Sequence, residues 1–163
     1  MPAKTLRELL RGKGAHVDPL ASAEGLSVAL AGRRLAGVEH TIWQLVWHMN
    51  YWMEYELRSL AGPEQPFPEH ASESWPENSL PASQEAWSAE VGRLRRQVGE
   101  LISWADRVAS EGIGDHIVHP AKGESVLDIL WQITAHNSYH TGQVALLRRA
   151  FGAWPPTGGG DSW

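Results

Sequence analysis

The feature that most constrains the fold is a set of three long helical patterns, each followed by glycine or proline. Apolar residues recur in them at three- and four-residue spacing, which is the period of one face of an α-helix. The three patterns cover residues 41–60, 83–111 and 125–151. Gly62-Pro63 ends the first and Pro155-Pro156 the last, because proline cannot continue a helix. The intervening residues 62–81 and 113–123 are predicted to be long connections.

The N-terminal region predicts a helix in two short pieces. Residues 4–12 have leucines at i, i+3 and i+4, and glycines follow them. Asp18-Pro19 has the form of an N-cap followed by proline at the first helical position, and the helix it begins should end near Gly25. Strand patterns are nearly absent, apart from a short extended piece at 116–119. The sequence therefore predicts an all-α fold, an antiparallel four-helix bundle whose first helix is interrupted.

Composition excludes several kinds of chemistry. The 163 residues are enough for one domain with a substantial core. There is no cysteine, so disulfides, a cysteine nucleophile, iron–sulfur ligation and thiolate zinc sites are excluded. Any thiol chemistry would need a thiol brought in from outside.

Charge and hydropathy limit the partners. The net charge is −5 and 20% of the residues are charged, which argues against a nucleic-acid partner. No run approaches the ~20 apolar residues needed to span a bilayer, and residues 1–8 have no apolar core typical of a secretory signal. We therefore expect no membrane partner and a cytoplasmic location.

Two of the eight histidines lie on the apolar face of the last predicted helix. His136 and His140 are one turn apart, about 40° around the helix axis, among apolar residues such as Ile133 and Val144. Buried imidazoles need polar partners, and a pair at i, i+4 offers two nitrogens to one metal ion. The pair alone does not distinguish a metal site from a structural accident.

A third histidine extends this pair. His48 lies on the apolar face of the 41–60 helix, between Leu45 and Trp52. If the two long helices pack side by side, His48 meets His136 and His140 in the core. Three neutral imidazoles without a carboxylate predict a site for a divalent transition metal with at least one open position. The metals that suit such a site are zinc, nickel, copper and iron(II), of which we favour zinc or nickel.

The remaining five histidines are interpreted as surface or cap residues rather than ligands. They are His16, His40, His70, His116 and His119.

Carboxylates are missing where a hydrolase would need one. The three residues between the histidines of the last helix are asparagine, serine and tyrosine, whereas metal-dependent hydrolysis usually uses a nearby carboxylate base. Glu54 and Glu56 lie two turns beyond His48 and are the possible substitutes. The missing base favours thiol transfer, or another Lewis-acid role, over hydrolysis.

Polar residues one turn from the histidines are candidates to support them. Gln44 precedes His48 by one turn, and Gln143 follows His140 by almost one turn. Gln143 is better placed to hold an imidazole N–H or to reach a metal-bound water, although hydrogen bonding within the bundle explains it equally well. The same projection points Arg148 and Arg149 away from the apolar face.

Two segments of the chain resemble the DinB/YfiT-like superfamily. They are WHMNYW at 47–52 and AHNSYHTGQV at 135–144, and the His-x-x-x-His-x-Gly-Gln ending of the second is the most specific part. The resemblance covers about residues 4–152, so residues 1–163 are expected to form a single domain with a C-terminal tail at 153–163.

This resemblance implies a fold and a range of activities. It implies an up-down-down-up four-helix bundle, a metal held by His48, His136 and His140, and a homodimer. Members are commonly described as metal-dependent hydrolases, and better-understood relatives are transferases or isomerases that use bacillithiol, mycothiol or a similar small thiol. For this chain it implies a metal-dependent enzyme acting on a small molecule, first of all a thiol S-transferase-like activity. The alternatives are a metal-dependent hydrolase and a non-catalytic, dimeric metal-binding scaffold of the stress response.

Overall fold

The computed structural model describes residues 3–63 and 65–160 and is mostly helical, as expected. The helices are α1 (Ala3–Leu10), α2 (Pro19–Ala23), α3 (Val28–Ala31), α4 (Ile42–Ala61), α5 (Gln84–Glu111) and α6 (Val126–Ala150). A 3-10 turn spans Ala71–Ser74, and two short strands, β1 (Ile117–His119) and β2 (Glu124–Ser125), pair antiparallel between α5 and α6. The three long helices begin and end within about one residue of their predicted positions. Helix α3 and the 3-10 turn had no counterpart in the sequence prediction.

Side-chain caps explain why the long helices begin where they do. The Thr41 hydroxyl accepts a hydrogen bond from the Gln44 amide at 3.3 Å, and the Gln44 side chain accepts one from the Thr41 amide at 3.1 Å. Ser125 and Asp128 form the same reciprocal arrangement at the start of α6. Each pair satisfies backbone donors that the first turn leaves without an intrahelical partner. Gly112 ends α5 in the left-handed conformation, with φ of 68°.

One continuous apolar core joins the helices. Helix α4 packs against both α5 and α6, while α1 packs against α5 and α2 against α6. Fully buried side chains from the three long helices meet in this core, among them Leu45, Met49 and Met53 of α4, Leu94 and Leu101 of α5, and Ile129 and Leu130 of α6. Within the described ranges, no helix combines the length and the apolarity needed to cross a bilayer.

The position of Arg148 corrects a prediction. Its side chain is only 4% exposed, so the expectation that it points away from the core is wrong. The guanidinium donates hydrogen bonds to the carbonyl oxygens of Ser22 at 2.9 Å, Glu24 at 2.8 Å and Ala153 at 3.0 Å. A helical projection gives the direction of Cβ only, and a long side chain can bend to buried acceptors. Arg149, by contrast, is exposed as predicted.

We expect Arg148→Met to destabilise the protein by about 2–3 kcal/mol, because it removes a charged donor and leaves buried carbonyls without a partner. The matched control is Arg149→Met, which should change the free energy of unfolding by less than about 1 kcal/mol, because Arg149 is exposed and its guanidinium stacks on the Trp154 ring at 3.9 Å. Urea denaturation of the two variants provides the measurement. Equal stability of the two variants would contradict the anchoring role of Arg148.

Candidate metal centre

Three histidines from two helices converge at one point in the core. Helix α4 supplies His48, and α6 supplies His136 and His140. One ring nitrogen of each lies within 4.8 Å of the corresponding nitrogen of the other two. His48 and His140 are 7% and 6% exposed, and His136 is half-buried. The convergence expected from the helical periodicity is therefore present, while ligation of a metal by these residues stays a prediction.

The hydrogen bonds of the rings determine which nitrogens face one another. His48 Nδ1 lies 2.7 Å from the Ser74 carbonyl oxygen, which can only accept, so Nδ1 carries the proton. His140 Nδ1 donates in the same way to Gln143 Oε1 at 2.7 Å, and His136 Nδ1 faces Asn137 Oδ1 at 3.3 Å. In the neutral rings, Nε2 then carries a lone pair.

These lone pairs meet without a proton between them. His48 Nε2 and His136 Nε2 are 3.2 Å apart, and neither can donate to the other in this tautomeric state. Burial, together with a smaller effect of the neighbouring imidazoles, lowers the pKa of His48 and of His136 to about 4. Burial also lowers the pKa of His140. At neutral pH the three rings are therefore uncharged bases, which is the donor set that a divalent transition metal requires.

The connection between α4 and α5 closes one side of the cluster. The His48 ring stacks on Trp75 with centroids 3.8 Å apart and planes 6° from parallel. Trp75 directly follows the 3-10 turn that also supplies the Ser74 carbonyl. His40 stacks on Trp75 as well, at 3.7 Å, so it is half-buried rather than a free surface residue. Sequence reasoning missed Ser74 and Trp75, because a connection without periodicity gives no signal for which residues turn inward.

The two glutamines differ in position. Gln143 accepts the Nδ1 hydrogen bond of His140, which is the supporting position proposed for it. The carbonyl of Gln44 caps α4 at Thr41, and none of the hydrogen bonds observed for it reaches a histidine. Gln44 therefore caps the N-terminus of α4, as expected for a glutamine three residues after a threonine N-cap.

The two glutamates of α4 have different neighbours. Glu54 pairs with Arg58 and Arg93, away from the histidines. Glu56 lines the same cavity as the cluster. Its Oε2 lies 3.7 Å from His119 Nε2. His119 is 1% exposed, so the expectation of a surface position is wrong for this residue. The pairing of β1 with β2 sets its register and directs it inward.

A cavity of about 440 Å³ opens beside the cluster. All three histidines line it, and Trp52, Tyr55, Phe67 and Ile133 supply apolar surface. A second cavity of about 440 Å³ also borders His140 and is lined by Trp75, Gln143 and Leu146 among others. Both volumes lie in the range that holds a small organic molecule. Tyr55 is therefore a cavity residue, whereas Tyr51 stacks on Trp47 outside these walls.

Comparison with known families agrees with this geometry. The family model of the DinB superfamily matches residues 17–144, a range that contains all three histidines. No curated protein and no solved structure matches the chain. Because the match covers most of the chain, the protein belongs to the DinB superfamily.

We expect the metal-free protein to lose stability as the pH falls from about 6.5 toward 4. The unfolded histidines take up protons near their ordinary pKa of 6.5, whereas folded His48 and His136 do so only near 4. In that window the unfolded state binds more protons, so acid favours unfolding. The measurement is the melting temperature of chelator-treated protein at pH 7.5, 5.5 and 4.5.

The control for this pH dependence compares two glutamine variants. His136→Gln should flatten the fall in melting temperature, while His116→Gln, at an exposed position, should leave it as in the wild type. An identical fall in both variants would contradict the role assigned to the buried cluster.

Proposed function

We propose that the protein is a divalent-metal-dependent enzyme acting on a small molecule, with His48, His136 and His140 as the metal ligands. The observation that carries this proposal is the inward convergence of three uncharged imidazole nitrogens, all within 4.8 Å of one another. Each Nδ1 faces an oxygen atom on the outer side, the usual arrangement around ligand histidines. Zinc or nickel is the metal we favour, because both accept imidazole nitrogen.

The reaction we favour is a thiol S-transferase-like step. When bound, the metal supplies Lewis acidity, which lowers the pKa of a thiol or of water. Ser74 and Gln143 hold the His48 and His140 rings in place, and Trp75 limits access of water to His48. Since the chain has no cysteine, the thiol arrives as a cosubstrate. Two cavities that share His140 offer separate space for a thiol and for its acceptor.

The arrangement of carboxylates also favours transfer over hydrolysis. Within the described part of the chain, no carboxylate has a hydrogen bond to any of the three histidines. Glu56 lies on the same helix as His48, eight residues on, which is roughly 12 Å along the axis. Hydrolysis is the second candidate, because Glu56 is, among the described residues that line the same cavity, the buried carboxylate that could serve as a base.

A non-catalytic, dimeric metal-binding scaffold is the third candidate. Helix α6 exposes large apolar side chains at Trp131, Tyr139 and Leu146, and their spacing of eight and seven residues puts them near one face of the helix. This surface supports a homodimer through α6. The up-down-down-up bundle that the family implies is the topology we infer.

We expect purified protein to bind about one equivalent of zinc or nickel, and His48→Ala, His136→Ala or His140→Ala each to lose most of it. Removing one of three ligands leaves too few nitrogens for tight binding. Gln143→Leu should weaken affinity by about 10–100-fold through loss of ring orientation. Elemental analysis and competition with a chromogenic chelator measure these effects.

The control for metal binding is His116→Ala, at an exposed histidine that borders a different cavity, with Leu60 and Trp104. It should bind metal as the wild type does, and circular dichroism should show that all variants remain helical. Unchanged metal content in the three cluster variants would refute the site.

We expect metal-loaded protein to conjugate a small thiol to an electrophile such as 1-chloro-2,4-dinitrobenzene. In that reaction a carbon–sulfur bond forms, a carbon–chlorine bond breaks, and chloride and the thiol proton are released. Bacillithiol, mycothiol and glutathione are compared, with absorbance reporting the product and His136→Ala as the metal-deficient control. Hydrolysis of an ester or amide panel without thiol turnover would favour the hydrolase, and no turnover in either assay would favour the scaffold.

A further inference from the structure

A second buried polar group lies at the edge of the cavity, away from the histidine ligands. Glu56 of α4 lines the cavity and is 6% exposed, and His119 of β1, which is 1% exposed, lies beside it. Glu56 Oε2 lies 3.7 Å from His119 Nε2, beyond hydrogen-bond distance, and accepts no hydrogen bond from any described residue. Oε2 itself has almost no accessible surface, so a molecule in the cavity would meet the other oxygen of this carboxylate. A buried carboxylate with unfilled acceptor positions is costly, so its place in the cavity lining points to a ligand.

The hairpin brings further charges to the same cavity. In the register of the two strands, His119 is paired with Glu124, and Lys122 lies in the turn between them. Lys122 and Glu124 line the cavity with Glu56, and Lys122 Nζ is 3.9 Å from Glu124 Oε2. Lys122 also lies over the Phe67 ring, 5.2 Å from its centroid. Among the described residues that line this end of the cavity, two carboxylates and one ammonium group lie close together.

The remaining wall of the cavity determines what shape of molecule fits. Trp52, Tyr55 and Phe67 form an aromatic group, with ring centroids between 5.3 and 6.0 Å apart. Together with Ile133 they line the cavity that also borders Glu56 and the histidines. An apolar or aromatic body fits such a wall, because burial of its surface is favourable and demands no hydrogen bonds.

We propose that Glu56 is a specificity-determining residue that binds a protonated amine of the substrate, whose apolar body packs on Trp52, Tyr55 and Phe67. The substrate class is therefore a small arylalkyl or alkyl amine. The further step, that the reacting end of this molecule faces the three histidines, rests on the proposed function. Burial raises the pKa of Glu56, an effect that His119 partly offsets. An ammonium group in the cavity beside the Glu56 carboxylate would favour the charged form in the same way and would donate hydrogen bonds to it.

The first test uses the wild-type protein and three probes of similar size that differ in charge. They are 2-phenylethylamine, 2-phenylethanol and phenylacetate, titrated at pH 7.5 by calorimetry and by quenching of tryptophan fluorescence. We expect the amine to bind at least tenfold more tightly than the alcohol or the carboxylate. Equal affinities, or a preference for the carboxylate, would overturn the proposal.

The second test removes the charge at Glu56. Glu56→Gln keeps the size of the side chain and should weaken amine binding at least tenfold while leaving the affinity for 2-phenylethanol unchanged. The matched control is Glu54→Gln on the same helix, whose carboxylate pairs with Arg58 and Arg93 instead and which should bind the amine as the wild type does. If Glu56 only fastened the hairpin to α4, the variant would lose thermal stability and still prefer the amine, which would refute the proposal.

The titrations are repeated on metal-free protein, so that the amine subsite and the metal-dependent function can each be refuted independently of the other. Retention of the amine preference without metal would support the subsite whether or not the histidines bind metal. Loss of metal binding in the histidine variants concerns the proposed function alone. Should Glu56→Gln fail to fold by circular dichroism, the comparison of the three probes on the wild type decides the question.

Discussion

The position of three imidazole lone pairs, turned toward one another in the core, is the constraint on which the functional region depends. Each Nδ1 faces an oxygen on the outer side, as for Ser74 with His48 and Gln143 with His140. Because these bonds direct Nε2 inward and burial keeps the rings uncharged, the cluster is at once a poor site for protons and a good one for a divalent cation. The packing of α4 against α6 and the path of the 62–81 connection, which supplies Ser74 and Trp75, hold the rings in this arrangement.

The three long helices, two of which carry the histidines, could be predicted because they depend on local rules. Periodicity, proline and glycine placed α4, α5 and α6 almost to the residue, and caps such as Thr41 and Ser125 act within one turn. The phase of a helix also determines which residues share its apolar face, so that the histidines on α4 and α6 could be expected to meet. Convergence across two helices requires only that both faces be buried in the same core.

The predictions that failed concern side chains whose position depends on distant segments. Arg148 projects from an outer position on α6, yet its guanidinium reaches the carbonyls of Ser22 and Glu24, which end a short helix more than 120 residues earlier. His119 seemed to lie in an ordinary connection, but the pairing of β1 with β2 turns it against α4. Local periodicity predicts neither the reach of a long side chain nor the register of a three-residue strand.

The histidines and the rest of the cavity lining come from different kinds of segment. The three histidines lie on regular helices, inside the range that matches the DinB superfamily, so they could be found from the sequence. Other residues that line the two cavities, such as Phe67, Trp75 and Lys122, come from connections between helices. A bundle can therefore keep one kind of metal centre while its connections change what reaches it. For this chain, the proposed reaction involves the histidines of the helices, and the proposed choice of substrate involves the hairpin and the 62–81 connection.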